Sequence, residues 1–162
     1  MIRPVIFLTL LFAAGSLGKN EVVIQPLGAL AEVGHVLQGV LSCGSQSKLL
    51  EVRVEDCLSL PCNVTAGRVY TSQIDFIPSE SHEKLHVLLS VISLTSRRDL
   101  IILNEDILAP VEAGSKYTLQ VRWSAPVGSP LGFIAPLLQV TGKTPRGEVM
   151  ELCGLALSRV VA

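Results

Sequence analysis

Four cysteines, three histidines and one glycosylation sequon are the residues of this chain whose types and spacing could do chemistry. Cys57 and Cys62 enclose only Leu-Ser-Leu-Pro and form the natural local pair, which leaves Cys43 for Cys153. Four cysteines admit three pairings, and an even number behind a secretory leader favours disulfides over metal binding. In the loop-entropy picture the long bridge restricts the unfolded chain by about 4.7 kcal/mol and the short one by about 2 kcal/mol. A zinc site wants CxxC-type cysteine pairs or a histidine cluster. His35, His82 and His86 do not supply one, so no metal is expected. His82 and His86 stand four apart, a spacing that shares a face on a helix, but their segment reads as strand. Both are therefore expected to be exposed or edge-strand histidines.

No catalytic constellation stands out. Gly128-Ser129-Pro130-Leu131-Gly132 has its serine in the wrong order for a nucleophile elbow. No glycine-rich phosphate loop is present. Glu55-Asp56 and Glu105-Asp106 fall where solvated charge is ordinary. Arg97-Arg98 is the longest basic run in a chain of 13 Lys and Arg against 14 Asp and Glu. Binding nucleic acid needs several cations per site, so it is excluded as a function. Asn63-Val64-Thr65 is an acceptor for N-glycosylation directly after Cys62.

These residues are carried by a chain of 162 residues, enough for one domain, that is 49% hydrophobic and only 17% charged. Part of that excess lies in residues 1–18, where Arg3 precedes an apolar run from Val5 to Ala14 and then small residues. This is the layout of a secretory signal peptide, cleaved after Ser16 or Gly18. The run is too short for a bilayer span, which takes about 20 residues. Residues 19–40 form an N-terminal extension without clear period, a loose arm or an edge strand. Residues 41–162 form the domain proper.

The rest of the chain reads as strands. Leu50, Val52 and Val54 alternate with Glu51, Arg53 and Glu55. Tyr70, Ser72, Ile74 and Phe76 share one face of the next segment. Tyr117, Leu119, Val121 and Trp123 share a face of the cleanest strand. Lys84 to Leu94 is apolar on both faces, the pattern of a strand covered on both sides or of a buried helix, and its β-branched content and length near ten favour the strand. Leu100 to Leu103 is a short apolar run of undetermined type. Phe133 to Thr141 is a further strand, and Glu148 to Val161 closes the chain with a last strand carrying Cys153. Six to eight strands without an amphipathic helix predict an all-β sandwich of two antiparallel sheets, immunoglobulin-like in layout. Trp123 lies too far from Cys43 to fit a true immunoglobulin core.

The order Ser42-Cys43-Gly44-Ser45, Glu51-Val52-Arg53-Val54, Cys57, Pro61-Cys62, Gly67-Arg68-Val69-Tyr70 to Phe76, Tyr117 to Trp123 and Cys153 resembles a known family. It is similar to the myeloid-differentiation-factor-related lipid-recognition (ML) family, nearest the branch of the soluble Niemann–Pick type C cholesterol carrier and the group-two mite allergens. The match covers about Leu41 to Val161. The resemblance implies a β-sandwich whose sheets enclose a sterol or fatty-acyl lipid, with no catalysis and no cofactor. It implies the same cysteine pairing. Carried over by position, the lipid-facing residues are Val52, Val54, Val64, Tyr70, Ile74, Phe76, Leu119, Val121 and Trp123. It further implies a monomer that is secreted, or sent to lysosomes through a glycan at Asn63, with a membrane or receptor as partner for lipid hand-over. One rival reading is an accessory protein that presents lipid to an innate-immune receptor. The other is an immunoglobulin-like interaction module with a filled core. The chain departs from the family where Leu100 to Pro110 lacks the cysteines of a third disulfide, predicting looser structure there. It departs again at Thr95-Ser96-Arg97-Arg98-Asp99, which replaces a proline- and aromatic-rich stretch.

Overall fold

The structure, a computed structural model, describes residues 20–162. The expected signal peptide, 1–18, lies outside the described residues. Alternating apolar positions produce twelve strands and, among the described residues, no helix: β1 Glu21–Pro26, β2 His35–Val36, β3 Leu41–Ser42, β4 Lys48–Val54, β5 Cys62–Thr65, β6 Val69–Ile77, β7 His82–Ser93, β8 Asp99–Val111, β9 Tyr117–Ser124, β10 Gly132–Thr144, β11 Gly147–Leu155 and β12 Ser158–Val161. They form a five-stranded sheet, β1-β9-β6-β4-β2, facing a seven-stranded sheet in which β8-β7-β10 continue into β11 and β12 side by side. Pairing is antiparallel except between β12 and β5. The expected all-β, immunoglobulin-like sandwich is the fold observed. No helix among the described residues is long and apolar enough to cross a membrane.

The register explains the core. Tyr70 opposes Trp123, Ser72 opposes Val121, Ile74 opposes Leu119 and Phe76 opposes Tyr117 across β6 and β9. Side chains on a strand alternate between faces, so two strands that each read as half-apolar merge their apolar halves into one inner surface. Val52 joins it opposite Ile74, and Val22 joins it opposite Val121. Leu85, Val87, Leu103, Ile134, Val140 and Leu152 face it from the other sheet, all buried.

Residues 20–40, set apart in sequence as an extension, are woven into the five-stranded sheet. β1 is its edge on β9, β2 pairs with β4, and Leu37 packs with Val54, Cys57 and Cys62. The loop between β1 and β2 lies over the sheet's outer face. There Val33 N–H donates to Gln73 Oε1 (3.1 Å) and Gln73 Nε2 donates to the Ala31 carbonyl (2.7 Å). Gly34 has φ +53° and its α-carbon faces the Val54 carbonyl with no room for a Cβ, so glycine is required there.

Three sequence readings change. Leu100 to Leu103 belongs to β8, a 13-residue strand that includes Pro110 and pairs along β7, so the segment lacking a third disulfide is held by a ladder. The closing strand is broken at Ala156 and Leu157 into β11 and β12, both on the same side of β10. β7 is a strand, but only its inner face is covered: Leu85, Val87, Leu89 and Val91 are buried, while the outward Leu88 and Ile92 are half-buried.

Candidate functional site

Both disulfides form as spacing suggested. Cys43–Cys153 spans 110 residues and Cys57–Cys62 spans five, with Cα separations of 5.0 and 5.2 Å. The long bridge pins the segment between β3 and β4 onto β11. Along it Cys43 N–H donates to the Cys153 carbonyl (3.0 Å) and Ser45 Oγ accepts from Cys153 N–H (2.8 Å).

Beside that pinned segment a cavity of about 80 Å³ opens between the sheets. β4 contributes Leu49, Val52 and Val54; β6 contributes Ser72 and Ile74; β9 contributes Val121 and Trp123. The facing sheet supplies Leu89, Pro136, Leu138 and Leu152. Val40, Ser45, Gly154 and Ala156 line the side where partly exposed residues reach the surface. No lining residue is charged. The few polar groups are serine hydroxyls. Ser72 Oγ accepts from Trp123 Nε1 (2.9 Å), which leaves the Ser72 proton free to donate into the cavity.

Of the nine residues carried over from the family, five line this cavity: Val52, Val54, Ile74, Val121 and Trp123. The other four, Val64, Tyr70, Phe76 and Leu119, are buried in the surrounding core. The reason is position along the strands. Phe76 and Leu119 sit toward the end where Leu85, Val87 and Val140 pack without exposure and the sheets close. Tyr70 stacks at a tilt on Trp123 (5.9 Å), and its hydroxyl accepts from Thr65 N–H (2.8 Å), closing the cavity on that side. Sequence reasoning missed Leu49, Leu89, Pro136, Leu138 and Leu152. For Leu89 the signal is alternation through β7, but that strand reads as apolar on both faces, which hides the inner one.

A second buried cluster lies apart from the cavity. Val140 opposes Leu152 and Thr141 opposes Met150, so Glu151 is the extra residue of a β-bulge. Its carboxylate, without exposure, accepts from Ser79 N–H (2.8 Å), Ser79 Oγ (2.9 Å), Glu80 N–H (3.1 Å) and Ser47 Oγ, and contacts His82 Nε2 (2.8 Å). Burial alone pushes the Glu151 carboxyl up. The bonds from Ser47, Ser79 and His82 outweigh it and hold the carboxyl below its ordinary range. A third cluster, on the outer face of the five-stranded sheet, sets Arg53 against Asp75 (2.8 Å), whose other oxygen accepts from Thr118 Oγ1 (2.7 Å).

His82 corrects an expectation. It is buried on Glu151 rather than exposed, whereas His86 is half-buried on the outer face and bonded to Asp106 (2.8 Å). Residues 82–86 read His-Glu-Lys-Leu-His, so Glu83 completes an H-E-x-x-H pattern, which corrects the treatment of the two histidines as a bare pair. That pattern binds zinc on a helix, where its two imidazoles share a face. Here it lies on β7, and an irregularity between His82 and Lys84 turns His82 inward and leaves His86 outward. Among the described residues no group of three or more His, Cys, Asp or Glu is placed to hold a metal.

Comparison with known proteins returned no matching family model and no matching curated protein. Solved structures do match. A Niemann–Pick type C2 protein from the Japanese carpenter ant superposes with a TM-score of 0.62 at 11% identity, covering 76% of this chain and 100% of that one. The C-terminal domain of wzt superposes with a TM-score of 0.53 at 9% identity, covering 76% of this chain and 78% of that one. The resemblance drawn from sequence therefore holds at the level of the fold.

Proposed function

We propose that this protein is a non-enzymatic carrier that binds a sterol or fatty-acyl lipid between its sheets and moves it through an aqueous compartment outside the cytosol. The carrying observation is an uncharged cavity, walled by aliphatic side chains and Trp123, that reaches the surface beside a disulfide-pinned segment. Apolar surface hidden from water there gains about 25 cal/mol per Å². Aliphatic walls select by class and size rather than by individual ligand. The Ser72 hydroxyl is the polar group best placed to orient a lipid hydroxyl. The likeness of fold to a Niemann–Pick type C2 protein supports this reading, as do two disulfides and the leader-like residues 1–18.

Pockets for small molecules enclose about 300–1,000 Å³, so a cavity of about 80 Å³ must widen by parting of the sheets before a whole sterol enters. The same small volume favours the second reading, an interaction module with a filled core. Purification of the full chain from the medium of producing cells, solvent extraction and mass spectrometry decide between them. Bound lipid at near one per protein, and saturable binding of a fluorescent sterol, are expected of the carrier. Protein that holds no lipid and binds no probe refutes it. Presentation of lipid to a receptor is the variant of the carrier reading in which a receptor ectodomain captures only the lipid-loaded form.

A further inference from the structure

An antiparallel sheet with one face in water ordinarily carries polar residues on that face. The seven-stranded sheet follows this only toward one end, where Lys84, His86, Asp106, Thr141 and Lys143 cluster. Its outer positions include Leu41 (64% exposed), Ile101 (61%) and Phe133 (43%), with half-buried Ile92 and Leu137 between them. The register makes them one surface: Leu41 opposes Leu155, which opposes Leu137, which opposes Ser90, which opposes Ile101. Interrupted only by Ser90, this row and Phe133 make an exposed apolar patch of the kind that a covering group or partner occupies.

The sequon sits at its border. β5 runs at the sheet edge with Cys62 and Val64 buried, so Asn63 and Thr65 both point outward and are exposed. Asn63 lies beside Arg159 on β12, and Arg159 lies beside Phe133 on β10. The Arg159 guanidinium stands over the Phe133 ring at 5.7 Å. Neighbouring strands are about 4.8 Å apart, so Phe133 is two strand spacings from Asn63.

We propose that Asn63 carries an N-linked glycan that lies across β12 and β10 and covers this apolar face. The inference rests on the reading of a chain that passes through the secretory route. In the modification, the Asn63 side-chain nitrogen loses a proton and bonds to the anomeric carbon of an oligosaccharide carried on a lipid pyrophosphate. The sugar–phosphate C–O bond breaks, and the lipid pyrophosphate leaves. Sugar faces present C–H groups to Phe133 and hydroxyls to Arg159, and so mask the apolar surface while offering water a polar one.

The test uses the full chain secreted from eukaryotic cells. Glycopeptide mass spectrometry reads occupancy at Asn63. Hydroxyl-radical footprinting then reads Phe133, Leu137 and Ile101 before and after an endoglycosidase trims the folded protein. Phe133 labelling is expected to rise about twofold or more on trimming, because a bulky glycan covers most of a side chain that is otherwise 43% exposed. Leu27, 43% exposed just past β1 at the edge of the other sheet, is expected to stay constant. Asn63→Gln and Thr65→Ala, made separately, reproduce the trimmed pattern. An unmodified Asn63, or labelling that trimming leaves unchanged, overturns the proposal. So does a glycosylated form that dimerises, or binds anionic vesicles, in a way that Phe133→Ser abolishes. Lipid retention, measured on the same trimmed sample, reports separately on the carrier reading.

Discussion

Val52→Phe separates a carrier from a filled-core module. Val52 lies on the inner face of β4 opposite Ile74, is only half-buried, and borders the cavity. An empty cavity costs about 24 cal/mol per Å³, so about 80 Å³ corresponds to about 2 kcal/mol of stability forgone in the lipid-free protein. A phenyl ring at Val52 can recover roughly half of this, about 1 kcal/mol. That raises Tm by about 2–4 °C for a chain of this size. The same ring occupies the space a lipid would take, so affinity for a fluorescent sterol should fall by at least about tenfold, or about 1.4 kcal/mol. Thermal denaturation of delipidated protein and probe titration read the two effects. The signature is opposition: a more stable protein that binds less. A tightly packed core gives the reverse, because an added ring overpacks it and costs about 1–3 kcal/mol. A Val52→Phe protein that is less stable, or that binds sterol like the parent, refutes the reasoning.

Trp123 is the only tryptophan in the chain and lines the cavity, so its emission should shift on lipid binding, and saturation of that shift gives the stoichiometry. Replacing Glu151 by Gln removes the buried charge that accepts from Ser47, Ser79 and Glu80 and should destabilise by about 1.5–3 kcal/mol in a urea titration. Because Glu151's folded pKa is depressed, its contribution is whole above the unfolded carboxyl value of about 4.3 and is lost as pH falls through the lower folded value. Melting curves of the parent and Glu151→Gln should therefore converge in strong acid. Gly142→Ala places a methyl in the His82 ring and should cost several kcal/mol by pushing it off Glu151, with lipid binding unchanged in the folded fraction. Removing Cys43 and Cys153 together should cost about 4.7 kcal/mol, and removing Cys57 and Cys62 about 2, by denaturant unfolding.

Much of the architecture was written in local pattern. Alternation in residues 70–76 and 117–123 specified strands and their apolar faces, because a strand's two faces differ by one residue of register and nothing else. The disulfide pairing followed from the short Cys57–Cys62 loop. Lys84 to Leu94, apolar on both sides, pointed to cover on both faces, and the structure covers only the inner one. Local pattern says which residues share a face. It does not say which faces meet, or where along a strand two sheets separate. Whether Val121 borders space while Leu119, two residues away, is fully enclosed depends on residues of β7, β10 and β11 that are distant in sequence. The same holds for His82. Its strand period predicts the same face as His86, and only an irregularity in pairing with β8 and a bulge in β11 bring it to Glu151. Local pattern carried the central strands, the bridges and the surplus of apolar side chains. Tertiary structure decided which of those side chains meet each other, which line a cavity and which face outward, because these are properties of register between strands remote in the chain.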